Sequence, residues 1–199
     1  MTKPACLKWD DSAGPVPQVV SQMFFEDNRG HFSEVWQRER QAAPANICQI
    51  NHSSSKYLTF RGLHWQVQPY GVGKFVTCLR GVVEDVVVDL RKRSSTFGQW
   101  CSYTLHGKPL QPQRLSVWVP AGFAHGFLVT SPYGAEVMYL QDGLWHQEAE
   151  RSLRWDDPDV GIDLRIHVAR AGKGSSFLLS DKDREAPYLS ELSDDDLFT

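Results

Sequence analysis

The chain predicts an all-β protein, an antiparallel jelly roll with an N-terminal arm and a short C-terminal helical segment. First, from Lys74 onward six short runs rich in β-branched and aromatic residues follow one another: Lys74 to Leu79, Val82 to Leu90, Gln99 to Leu105, Arg114 to Val119, Phe123 to Thr130 and Glu136 to Gln141. Second, turn material such as Arg80-Gly81 and His106-Gly107-Lys108-Pro109 separates them, with no amphipathic helix between. A parallel sheet needs such helical crossovers, so strands at this spacing point to an antiparallel sandwich or barrel. Third, 199 residues with 41% hydrophobic and 23% charged content suit one domain with a sizeable core.

Along the chain, residues 1–22 hold three prolines and read as an arm or loop. Residues 23–170 are assigned to the barrel. Within it Val83, Asp85, Val87 and Asp89 alternate with Glu84, Val86, Val88 and Leu90, so neither face of that strand is cleanly apolar. Such a strand is expected to be covered on both sides or to lie at an interface, which hints at a homodimer. Residues 171–199 form the C-terminal segment, where the polar, acidic stretch Asp181 to Thr199 suggests a short helix plus a tail. No repeat or linker divides the chain, and 1–199 reads as one domain.

Composition limits the partners. A net charge of -3 without long Lys/Arg runs argues against nucleic acid and membrane surfaces, so an anionic ligand must be met by individual arginines. The four cysteines, Cys6, Cys48, Cys78 and Cys101, are widely spaced, and the start lacks the pattern of a secretory leader. A soluble, cytoplasmic protein is expected.

Two segments carry the chemistry: Arg61-Gly62-Leu63-His64-Trp65-Gln66 and Pro120-Ala121-Gly122-Phe123-Ala124-His125-Gly126-Phe127. A histidine in a β protein is most often a surface or hydrogen-bonded core residue. Here His64 has Arg61 before it and Lys74 after it, and His125 follows turn residues able to deliver it into a barrel mouth. His64 can serve as a general base if its neutral form is available, and a nearby Lys74 cation favours that form. Lys74 can also stabilise an oxyanion, and Tyr139 can be an acid if its phenol faces the pocket; surface charge and core packing are the ordinary alternatives. Arg29, at a glycine turn between aromatic strands, would with Arg61 provide two guanidiniums suited to a pyrophosphate. Gln49 and Asn51 share one strand face and can add neutral donors.

Barrel enzymes of the cupin type resemble the chain at Pro120-x-Gly122-x-x-His125, and many hold a metal. Their other motif supplies two histidines one residue apart and a glutamate, whereas here Gln66 follows His64 and no Glu occurs before Glu84. That leaves too few good ligands, so neither a metal nor another cofactor is expected.

From about Phe24 to Asp183 the ordered motifs resemble the dTDP-4-dehydrorhamnose 3,5-epimerase family, metal-free cupin-fold enzymes of nucleotide-sugar metabolism. They are Asp27-x-Arg29-Gly30, Gln49-x-Asn51-x-Ser53, Arg61-Gly62-Leu63-His64, Gly73-Lys74, Asp85-Val86-x-Val88-Asp89-Leu90-Arg91, Gly98-x-Trp100, Pro120 to Phe127, Trp155-x-Asp157 and Ser180-x-Lys182-Asp183. The resemblance implies proton abstraction beside the ketone of a dTDP-linked 4-keto-6-deoxy sugar, an enolate, and reprotonation from the opposite face at C3 and/or C5. It implies His64 as base, Asp183 as its orienting carboxylate, Tyr139 as the opposite acid and Lys74 as stabiliser of the C4 oxygen. Arg29, Glu34, Gln49, Asn51 and Arg61 would hold the nucleotide diphosphate, and His125 would lie near the base or sugar. The chain departs from the family in Leu140-Gln141-Asp142-Gly143-Leu144-Trp145, where Trp145 replaces a second tyrosine and keeps a face for nucleobase stacking. Thr59-Phe60 and a longer Leu105–Arg114 connection also depart, leaving open a C3- or C5-only epimerase, a 3,4-ketoisomerase, or a non-catalytic sugar-nucleotide-binding cupin.

Overall fold

The computed structural model describes residues 7–38, 46–108, 113–164 and 176–199. Its strands are β1 (Gln18–Asp27), β2 (Gly30–Ser33), β3 (Gln49–Ser55), β4 (Phe60–Gln66), β5 (Lys74–Arg80), β6 (Val82–Asp89), β7 (Trp100–His106), β8 (Gln113–Val119), β9 (Phe123–Val129), β10 (Ala135–Gln141) and β11 (Glu150–Ser152). A single turn of helix, α1 (Asp181–Arg184), follows. The strands form a six-stranded sheet in the order β2-β1-β8-β5-β10-β3 and a five-stranded sheet in the order β11-β4-β9-β6-β7, all paired antiparallel. This is the expected jelly roll. The six strands read from the sequence agree with β5 to β10 to within about a residue at each end, because alternation of side chains across a pleat marks a half-buried strand directly.

The inward faces of the two sheets meet in a core of Val76, Cys78, Val83, Val87, Cys101, Leu105, Val117, Val119, Phe123, Phe127, Val129 and Val137, with Trp9 of the N-terminal stretch closing one end. Trp9 stacks edge-on to Phe123 at 5.2 Å and donates its indole N–H to the Tyr103 hydroxyl. The outward face of the smaller sheet carries Val86, Val88 and Leu90 and is covered by Leu153, Val160, Ile162, Leu164 and Phe198. Strand β6 is therefore buried on both faces within one chain, and its mixed pattern no longer argues for a dimer. Two of its polar positions are satisfied locally: Asp89 accepts from Arg91, Ser94 and Thr96, and Glu84 accepts from Ser102 and Thr104.

At the N-terminus the structure differs from the expected arm. Gln18 to Met23 pair with β8, so β1 begins inside the stretch read as arm or loop. Past Met23, β1 pairs with β2 alone and the two form a wing; Phe25 and Phe32 on the wing, and Val19 and Met23 on the part of β1 paired with β8, stay largely exposed, and Phe25 stacks on Phe32. Near the C-terminus, Asp157 is buried and accepts from the backbone N–H groups of Asp159, Val160 and Leu189, pinning the chain after α1 to the barrel. This gives the Trp155-x-Asp157 motif a structural role.

Candidate active site

Two glycines set the geometry of the site. Gly62 has φ +123°, and a Cβ there would stand 2.6 Å from the Gly126 Cα. A Cβ on Gly126 would in turn meet the Arg61 carbonyl at 2.6 Å. Only glycine at both positions lets β4 and β9 approach this closely. The pairing register between these strands shifts between Arg61 and His64, so that Arg61 lies opposite Phe127 and His64 opposite His125. The bulge re-aims the strand and brings Arg61, His64 and His125 to one cavity.

That cavity, about 450 Å³, is lined by Arg61, His64, Lys74, His125, Tyr139 and Asp183, with Ser53, Thr59, Phe60, Phe127, Leu178, Leu179 and Ser180 among the remaining walls. Its size suits a small-molecule ligand. His64 comes from the five-stranded sheet, and Tyr139 and Lys74 come from the facing six-stranded sheet. The imidazole and the phenol thus enter from opposing walls.

His64 Nε2 lies 2.6 Å from Asp183 Oδ1. The carboxylate is 5% exposed at the side chain. Burial alone would push the Asp183 carboxyl up, but hydrogen bonds from His64, from the Ser180 hydroxyl and from the Gly62 backbone hold it below its ordinary value. An ionised Asp183 fixes the proton on Nε2 and leaves Nδ1 with a lone pair, the state a general base requires. Asp183 reaches this place from far along the chain by a short parallel bridge between Thr59 and Leu178 and by the Ser180 cap of α1. Ser180-x-x-Asp183, a hydroxyl three residues before an acid, has the spacing of such a cap.

Lys74 is half-buried, its Nζ 3.5 Å from the His64 carbonyl oxygen. Burial pulls its ammonium down to about 8, with Glu150 and Asp85 opposing and Lys182 adding to the fall. Burial likewise pushes the Tyr139 phenol up, against the influence of Arg61, so it stays protonated as a donor near neutrality. His125 Nε2 lies 2.8 Å from Asp85 Oδ2. Asp85 is fully buried, and its second oxygen has no partner among the described residues. This second His–Asp pair was named from sequence only in part, because Asp85 looked like one acid in a mixed strand. Among the described residues no three His, Cys, Asp or Glu side chains gather as a metal-holding group.

Of the remaining expected residues, only Arg61 lines the cavity. Arg61 is exposed, donates from Nε to Ser55 Oγ at 2.9 Å and makes no ion pair among the described residues, so its charge is available at the mouth. Arg29 sits on the β1–β2 wing, 86% exposed at the side chain and paired with Asp27, and the exposed Glu34 follows the wing; neither lines the cavity. Gln49 and Asn51 also stand outside the lining, in a chain of amides: Gln49 Nε2 donates to Asn51 Oδ1 and Asn51 Nδ2 to Gln141 Oε1. The Gln49 side-chain oxygen Oε1 accepts the backbone N–H of Trp145, fixing the loop on which the half-exposed Trp145 stands outside the lining.

With this geometry in hand, the relatives of the chain can be read. The sequence profile described as dTDP-4-dehydrorhamnose 3,5-epimerase matches residues 16–191. A dTDP-4-dehydrorhamnose 3,5-epimerase of Sinorhizobium fredii is 40% identical over 179 residues, 88% of this chain and 86% of the relative. Among solved structures, the dTDP-6-deoxy-D-glucose-3,5-epimerase of Legionella pneumophila in complex with dTDP-4-keto-L-rhamnose superposes with a TM-score of 0.79 at 34% identity, covering 92% of each chain. A 3'-monoepimerase from Streptomyces bikiniensis in complex with dTDP-quinovose gives a TM-score of 0.74 at 31% identity, covering 87% of this chain and 84% of that one. The profile match, the sequence identity and the superposed barrel each extend over most of the chain, which belongs to the dTDP-4-dehydrorhamnose 3,5-epimerase family.

Proposed function

We propose that the protein is an isomerase that inverts C3 and/or C5 of a dTDP-linked 4-keto-6-deoxyhexose through an enolate. The observation that carries this reading is the entry of His64, backed by Asp183, and of Tyr139 from opposing sheets, with Lys74 in the same cavity. His64 Nδ1 takes the proton on the carbon beside the C4 ketone, and the electrons of that C–H bond move onto the C4 oxygen. Charge develops there, and the Lys74 ammonium stabilises it in a cavity where water competes poorly. Tyr139 then delivers its proton to the same carbon from the other face; solvent reprotonates the phenolate and takes the abstracted proton from His64, which restores both groups. A single acid–base group would return the proton to the side it left, so inversion needs both walls.

Arg61 supplies charge for the diphosphate at the mouth, and Trp145 a face for the base. The reading includes a homodimer. The exposed Val19, Met23, Phe25 and Phe32 support it, and so does the position of Arg29 and Glu34 on or beside that wing, where a second copy would bring them to a nucleotide. The likeness to the Streptomyces bikiniensis 3'-monoepimerase favours, as second reading, reaction at C3 alone. Incubation with the thymidine-diphosphate 4-keto-6-deoxyglucose in deuterated water decides. Label at C3 and C5 is expected, label at C3 alone selects the monoepimerase, and no label at either carbon rejects the reading.

A further inference from the structure

The loop after β10 is gripped by side chains from both sheets. It starts at Gln141, the residue paired with Lys74 of β5. Gln66 lies two residues after His64 on β4, so the two side chains leave the same face of that strand. The loop therefore sits at the end of the barrel where His64 and Lys74 enter. Gln66 is only 3% exposed. Its Nε2 donates to the Tyr70 carbonyl at 2.7 Å and to the Leu144 carbonyl at 3.1 Å, while its Oε1 accepts the His146 backbone N–H at 2.6 Å. From the facing sheet, Gln49 Oε1 accepts the backbone N–H of Trp145 at 2.9 Å. Three consecutive residues, Leu144, Trp145 and His146, thus each have a backbone group held by a glutamine. The Tyr70 and His146 rings pack at 4.0 Å and close the β4–β5 connection against the loop. Trp145 nevertheless remains half exposed, so its backbone is fixed while its ring faces solvent.

We propose that Gln66 is a positioning residue for nucleotide binding, holding the loop after β10 so that the Trp145 ring is preset as the face on which a nucleobase stacks. The inference rests on the reading of Trp145 as that face and adds the residue that places it. A ring carried on an unheld loop loses conformational freedom when a ligand orders it, and that loss weakens binding. Fixing the backbone beforehand removes much of the cost. A primary amide suits the task because it offers two donors and an acceptor at once, as two carbonyls and one N–H require. A carboxylate in the same place would turn negative charge toward both carbonyl oxygens, and a thioether would supply no donor. Gln66 does not line the substrate cavity, so its effect is expected in binding of the nucleotide rather than in the proton transfers.

Two variants separate hydrogen bonding from packing: Gln66→Met keeps the length of the side chain, and Gln66→Glu keeps its shape. Tyr70, Leu144 and His146 are exposed, so water can pair the freed backbone groups and the barrel should stay folded, as thermal melts would confirm. Calorimetry then measures dTDP and inorganic pyrophosphate on wild type, on both variants, on Trp145→Ala and on Trp145→Ala combined with Gln66→Met. Both variants at position 66 should bind dTDP about tenfold more weakly and pyrophosphate within about twofold of wild type, with the loss appearing in KM for the 4-keto sugar rather than in kcat. In the Trp145→Ala background, Gln66→Met should cost less than about a further twofold, because the ring it places is gone. A merely structural role gives parallel losses of dTDP and pyrophosphate, or the same cost with and without Trp145. Either result, or a folded variant at position 66 that binds dTDP as wild type does, overturns the proposal. Wild-type affinity in Trp145→Ala defeats the reading of Trp145 as the base face, and the proposal with it. Wild-type protein that binds dTDP yet leaves the sugar unchanged defeats the epimerase reading alone, and the binding cycle still decides the role of Gln66.

Discussion

Replacing Asp183 by asparagine tests the dyad most directly. The change is nearly isosteric and the side chain is buried, so water does not take the place of the lost charge. What disappears is a charge-assisted contact of 2.6 Å to His64 Nε2, the group that must accept positive charge as His64 takes the substrate proton. Hydrogen bonds to charged groups contribute about 1.5–3 kcal/mol, which at about 1.4 kcal/mol per tenfold in rate gives a fall in kcat of about 10- to 150-fold. KM should change by less than about threefold, because the proposed diphosphate contacts lie at Arg61 and beyond. The assay is the rate of solvent-deuterium entry at C3 and C5, with a thermal melt to confirm folding. The same substitution has a pH signature. A carboxyl held below its ordinary value in the folded chain contributes stability above the unfolded value, near pH 4, and loses it as pH falls through the folded value. The melting temperatures of wild type and Asp183→Asn should therefore converge as pH drops below about 4. A folded Asp183→Asn enzyme with kcat within about twofold of wild type would refute the dyad argument.

Other outcomes follow from the same geometry. His64→Ala should lower kcat by at least about 100-fold while leaving binding of dTDP, read by calorimetry, nearly unchanged. Arg61→Ala should instead weaken dTDP binding by about tenfold with a smaller effect on kcat, since its side chain lines the cavity without an acidic partner among the described residues. Gly62→Ala should lower the melting temperature and the activity together, because a side chain at φ +123° would be driven into the β9 backbone.

The sequence by itself determined most of the strands and the residue types of the candidate site. Alternation in runs such as Arg114 to Val119 reports burial one residue at a time, and the motifs around His64, Lys74, Tyr139 and Asp183 name the chemistry by residue type. Ser180-x-Lys182-Asp183 was legible only as a motif of the family resemblance, and its meeting with His64 joins positions 119 residues apart and depends on the Thr59–Leu178 bridge. Composition could not separate the two ways of covering β6, and only the fold showed that the chain's own C-terminal residues bury its outer face. Likewise Arg29, read as a partner of Arg61, stands on the β1–β2 wing, and Gln49 and Asn51 bond to one another and to Gln141. Local sequence encodes secondary structure and chemical type because those depend on near neighbours; which charges face one another depends on strand order and register, and tertiary structure alone decided that.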